Sequence, residues 1–115
     1  MFCHEKLNVY RQAVGFLRLT MQVLRLLPPG NSDVTNQLRR ASMSISLNIA
    51  EGGGKITKNE KKRYYSIARG SALECAAIFD VLTSWELLRS SDIQEARVAL
   101  ESIVAILSSL VLKTD

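Results

Sequence analysis

SDIQEARVALESIVAILSSLVL, residues 91–112, is the stretch whose reading decides the fold. Ile93, Ala96, Leu100, Ile103, Leu107 and Leu110 recur every three or four residues. That spacing gathers them on one stripe of an α-helix and would scatter them over both faces of a strand. A second apolar row, Val104 and Val111, runs alongside, with Val98, Ala105 and Leu112 beside it. A helix apolar on more than one side needs more than one neighbour. The segment is therefore expected to pack in a helical bundle and to offer its spare row to another copy of the chain. Ser91 or Asp92 is the expected cap of its free N–H groups, with Gln94 and Glu95 placed to reciprocate. Its most apolar run, Ile103 to Leu112, is too short to span a bilayer.

The same period appears three more times upstream. Tyr64, Ala68, Ser71, Cys75, Ile78, Leu82 and Trp85 form one seam, opened by Thr57 and Glu60 as a T-x-x-E capping box. Gly70, Ser71, Ala72, Ala76 and Ala77 are small and allow close approach of a neighbouring helix. Val34, Leu38, Ala41, Ile45 and Asn48 form another seam, starting near Ser32 or Asp33 and expected to stop at Gly52-Gly53-Gly54. Leu7, Tyr10, Val14, Leu17, Met21 and Leu24 make the first, stopped by Pro28-Pro29-Gly30. The spacing predicts helices over about 5–27, 33–51, 57–87 and 92–112. Four long helices with short connections predict an all-α fold, an antiparallel up-down-up-down four-helix bundle, with residues 1–115 as a single domain. A composition that is 47% hydrophobic but only 6% aromatic agrees, since Leu, Ile, Val and Ala supply most of the apolar side chains.

The net charge of +4 is unevenly spread. Between Gln37 and Arg69 stand Arg39, Arg40, Lys55, Lys58, Lys61, Lys62, Arg63 and Arg69 against only Glu51 and Glu60, while acids outnumber bases in the rest of the chain. The N-terminus of a helix carries partial positive charge and prefers acidic neighbours. Lysines crowding the start of the third helix therefore work against stability, and they suit an anion. Lys58, Lys62, Tyr65 and Arg69 fall on one helical face, a basic stripe with an aromatic for stacking a base. Together with Arg39, Arg40, Lys55, Lys61 and Arg63 they form the candidate nucleic-acid contact. Asn48 is polar on a core seam, where such a residue fixes register or bonds a neighbouring helix end, or helps shape the glycine loop.

Catalytic patterns fail one by one. A phosphate loop needs G-x-x-x-x-G-K-[ST], but Ile56 follows Gly54-Lys55 and Ile49 stands where the first glycine should be. His4 is the only histidine, so no E-x-x-H metal motif exists and nothing orients a nucleophile–histidine pair. No enzyme activity, cofactor or metal is expected. Cys3 and Cys75 read as reduced thiols, and Met1 to Arg11 lacks the apolar core of a secretion signal, which points to the cytoplasm.

Gln37-Leu38-Arg39-Arg40-Ala41-Ser42, then Ser46-Leu47-Asn48-Ile49-Ala50-Glu51-Gly52, then Tyr64-Tyr65-Ser66-Ile67-Ala68-Arg69-Gly70-Ser71-Ala72-Leu73-Glu74 make a distinctive series, preceded by Lys6-Leu7-Asn8-Val9-Tyr10 and Ala13. This series resembles the four-helix-bundle proteins encoded in intervening sequences of bacterial 23S ribosomal RNA genes. The resemblance implies an antiparallel four-helix bundle, assembly into a ring, commonly a homopentamer, and no established enzymatic activity. It is also similar to accessory proteins of diversity-generating retroelements, basic pentamers that bind nucleic acid and a reverse transcriptase. By motif position Arg39, Arg40, Asn48, Glu51 and Gly52 carry over, although Gly52-Gly53-Gly54 is richer in glycine than the usual turn. The expectation is an oligomeric RNA- or DNA-binding protein with its fourth helix at the subunit interface. The alternative is a scaffold or accessory factor for a nucleic-acid enzyme such as a reverse transcriptase.

Overall fold

The computed structural model describes residues 7–113. Cys3, His4, Lys6 and the expected helix start at residue 5 lie outside them. Four helices follow in order: α1 (Asn8–Arg25), α2 (Ser32–Gly54), α3 (Lys58–Ser84) and α4 (Ser90–Lys113). Each packs on two neighbours in a closed ring of four, α1 on α2, α2 on α3, α3 on α4 and α4 back on α1. Neighbours are antiparallel: α2 meets α3 at Ser44–Ser71 and again at Gly52–Tyr65, stepping forward on one helix and back on the other. Arg97 on Asp80 and Ser108 on Arg69 show the same for α3 and α4. No helix of the described residues is long and apolar enough to cross a membrane.

α4 buries the row its sequence predicts: Ile93, Ala96, Leu100, Ile103 and Leu107. Its cap differs. The helix begins at Ser90, and Asp92 Oδ2 accepts from the Arg89 N–H at 2.8 Å, so Asp92 is the reciprocating acid rather than the cap itself. At the start of α2 neither Ser32 nor Asp33 is the cap. Asn31 holds that position, and its amide turns back to donate to the Pro28 carbonyl at 2.9 Å.

In α1 the buried row is Val9, Ala13, Phe16, Thr20 and Val23, displaced from the predicted seam. Phe16 decides the rotation, because its ring meets Phe79 of α3 edge-on across the bundle, centroids 6.4 Å apart. Of the expected row, Leu24 is buried, Leu7 and Tyr10 flank the core, and Val14 and Met21 face out. α3 keeps Ala68, Cys75, Ile78 and Leu82 of its expected row buried and adds Tyr65, Ala72 and Phe79, while Tyr64 and Ser71 are half-buried and Trp85 is 62% exposed.

The glycine run does not stop α2, which continues through Gly54. A Cβ on Gly52 would lie 2.6 Å from Tyr65 Cε1, so the missing side chain makes room for the Tyr65 ring inside the α2–α3 contact. α3 ends in a Schellman turn, with the Glu86 N–H on the Thr83 carbonyl and the Leu87 N–H on the Leu82 carbonyl, both 3.0 Å. Glu86 takes the left-handed conformation (φ 59°) that glycine usually fills there.

Candidate functional site

The α2–α3 connection is only Lys55, Ile56 and Thr57. It brings the negative end of one helix dipole against the positive end of the next. Thr57 Oγ1 accepts from the Glu60 N–H at 3.2 Å, the forward half of the predicted capping box. α2 has no basic residue in its own last turn. Lys61 supplies the charge from α3: its Nζ donates to the carbonyls of Gly52 (3.3 Å) and Gly53 (3.4 Å). One of the lysines that seemed misplaced for its own helix therefore serves the end of the preceding one.

Tyr64 collects two more cations. Lys55 Nζ lies 5.1 Å and Arg63 Cζ 5.5 Å from its ring centroid, within cation–π range. Lys55 also sits 3.6 Å from Glu51 Oε2 across one helical turn. Lys58 and Arg63 are exposed, and Lys62 is half-buried. Lys55, Lys58, Lys61, Lys62 and Arg63 are thus held at one end of the bundle.

The remaining predicted contacts fall elsewhere. Tyr65 is 5% exposed and packed on Gly52, so it cannot stack a base, and burial pushes its phenol pKa upward. Arg69 Nε donates to Ser108 Oγ of α4 at 2.7 Å. Arg39 and Arg40 lie about 20 Å along α2 from the connection, at ~1.5 Å per residue. They diverge, Arg39 Nη1 toward Met21 Sδ of α1 at 4.0 Å, Arg40 into a cleft with Ser44, Ser71 and Glu74. The continuous stripe expected from helical spacing is therefore broken into a hairpin-end cluster and scattered single cations.

Asn48 bridges no helix end. Its amide donates to the Ser44 carbonyl (2.8 Å) and Ser44 Oγ (2.9 Å), and Ser71 Oγ of α3 donates to Ser44 Oγ at 2.8 Å. This relay ties α2 to α3 within the half-buried contact. Sequence reasoning missed Tyr64 as the cation platform and Ser44 as the relay. The available signals were the adjacent pair Tyr64-Tyr65, of which only one can face the core, and two small polar residues, Ser44 and Ser71, on facing helices. The cluster supplies fixed positive charge, suited to phosphate oxygens rather than to base edges. Among the described residues no three His, Cys, Asp or Glu side chains come together. A family model described as 23S rRNA-intervening sequence protein matches residues 5–109. No curated protein matches the chain.

Proposed function

This chain belongs to the 23S rRNA-intervening sequence protein family, and from that premise we propose that it is a non-catalytic, oligomeric RNA-binding protein of the cytoplasm. Its contact surface is the end of the α2–α3 hairpin. One observation carries the reading: the hairpin end holds Lys55, Lys58, Lys61, Lys62 and Arg63 against the two acids Glu51 and Glu60, at a connection only three residues long. Such a cluster favours a polyanion through counterion release and reads no sequence. Assembly, as a ring of about five by family resemblance, multiplies weak sites by avidity. The test is fluorescence anisotropy of a labelled mixed-sequence RNA at low salt. Binding should weaken at least about tenfold when Lys58→Ala and Arg63→Ala are combined, which corresponds to the loss of ~1.4 kcal/mol. Absence of binding by the parent chain discards the reading.

A second reading, an accessory factor for a nucleic-acid enzyme such as a reverse transcriptase, is favoured by Ile56. It is 94% exposed amid the cations, where an apolar side chain gains nothing from water. A complex with a purified reverse transcriptase that survives nuclease treatment and is lost with Ile56→Asp would support this reading over the first.

A further inference from the structure

We infer that the hairpin end recognises the open end of an RNA duplex, with the Ile56 side chain laid on the face of the terminal base pair and the neighbouring cations on the phosphates beside it. The inference rests on the RNA-binding reading above and names the form of RNA that the same surface prefers. Residues 55–65 contain three apolar or aromatic side chains, Ile56, Tyr64 and Tyr65. Tyr65 is buried, and Tyr64 is half-buried with Lys55 and Arg63 against its ring. Ile56 stands open in the middle of the three-residue connection. The backbone is fixed on both sides of it. The Lys55 N–H donates to the Gly52 carbonyl at 3.2 Å, and the Lys61 N–H donates to the Thr57 carbonyl at 3.1 Å. The Glu60 N–H donates to Thr57 Oγ1, and Lys61 Nζ closes back on Gly52 and Gly53. An apolar side chain held out on so rigid a turn loses little further freedom when a flat apolar surface covers it.

Two opposing free energies decide which part of an RNA supplies that surface. Inside a helix both faces of a base pair are covered by stacking, and a wedge must first open a step. A contact on one flat face takes only part of the isoleucine out of water and gains less than opening the step costs. The grooves are no better, since the A-form major groove is closed to side chains and the minor groove is lined by 2′-hydroxyls. At a helix end the face is already open, and phosphates of both strands flank it. Lys55 directly before Ile56, Lys58 two residues after it and Arg63 farther along α3 are the cations placed for those phosphates, while Lys61 stays on the carbonyls of α2. A lipid surface is the competing apolar plane, but one isoleucine offers far less apolar area than an interfacial helix needs to stay bound.

The experiment compares a short blunt RNA duplex with the same stem closed at both ends by loops of unpaired uridines, using fluorescence anisotropy. The loops add phosphates, so charge alone favours the closed form. The parent chain should nevertheless bind the blunt form at least about fivefold more tightly. Between about 50 and 200 mM salt both affinities should fall while their ratio holds, because the apolar contact releases no counterions. Ile56→Ser should abolish the preference with helical content unchanged, Ile56→Leu should keep it, and Lys58→Ala should weaken both forms alike. Equal binding of the two forms by the parent, or a preference that survives Ile56→Ser, overturns the inference and leaves RNA binding standing. Binding to neither form overturns both. Binding to anionic phospholipid vesicles that requires Ile56, with no preference between the RNAs, overturns the inference in favour of a lipid surface.

Discussion

Gly52 and Gly70 are both helical glycines, yet the surroundings give substitution opposite signs. Alanine is the better helix former by roughly 1 kcal/mol. At Gly70 nothing lies within 4 Å of an added Cβ, so Gly70→Ala should gain about that amount in urea unfolding. At Gly52 the added carbon would lie 2.6 Å from a ring carbon of Tyr65, which is buried and has little room to move. Overpacking of that kind costs ~1–3 kcal/mol, enough to reverse the propensity gain, so Gly52→Ala should lower stability. Cys75 is governed by the same packing. Burial, with a further push from the Glu74 carboxylate, raises its thiol pKa from 9.0 to about 12. Folding therefore favours the neutral thiol. That contribution is complete below pH 9, the value regained on unfolding, and is lost as pH climbs from 9 toward 12. Unfolding followed over that range should show a shallower alkaline decline in Cys75→Ala than in the parent.

At the scale of helices, the basic start of α3 contains two kinds of lysine. Lys61 reaches back to the last carbonyls of α2, whereas Lys58 stands exposed in the first turn of its own helix. Lys61→Met should cost ~0.3–1 kcal/mol, a loss that shrinks in high salt, with little change in RNA binding. Lys58→Ala should leave stability unchanged or raise it by a few tenths of a kcal/mol while weakening RNA binding. Measuring both quantities on both variants separates cap from contact. The core row of α4 was legible from Ile93 to Leu107, though its cap was not, and Leu110 is only half-buried. That of α1 was not, because Val14, Leu17 and Met21 offer a second apolar row at the same period, and only the Phe16–Phe79 contact, invisible in one dimension, chooses between them. The choice between Tyr64 and Tyr65 failed for a related reason. Adjacent tyrosines lie about 100° apart on a helix, and the vacancy at Gly52 on another helix selects the second. That selection buries Tyr65 and leaves Tyr64, not Tyr65, as the aromatic among the cations of the hairpin end.

For the whole molecule, the assembly proposed above would have an electrostatic consequence. One hairpin end engaging about three phosphates should give a slope of log K against log salt near −2 for single-stranded RNA, at ~−0.7 per phosphate. A ring that lays two or more hairpin ends on one RNA should at least double that slope and tighten binding by about 10²-fold or more. Leu112→Asp places a charge in the exposed apolar stripe of α4, far along the helix from the Asp92 end and outside the buried row. It should leave the protomer folded, reduce its mass in light scattering to one copy, and return the slope to the single-end value. The comparison is made by anisotropy between about 50 and 200 mM salt. If the variant becomes a single copy yet keeps the parent's affinity and slope, the protomer binds RNA alone and avidity has no part in its function. If both fall together, the weak basic end of each bundle works only through its repetition, which explains how a chain with a net charge of just +4 can hold a polyanion.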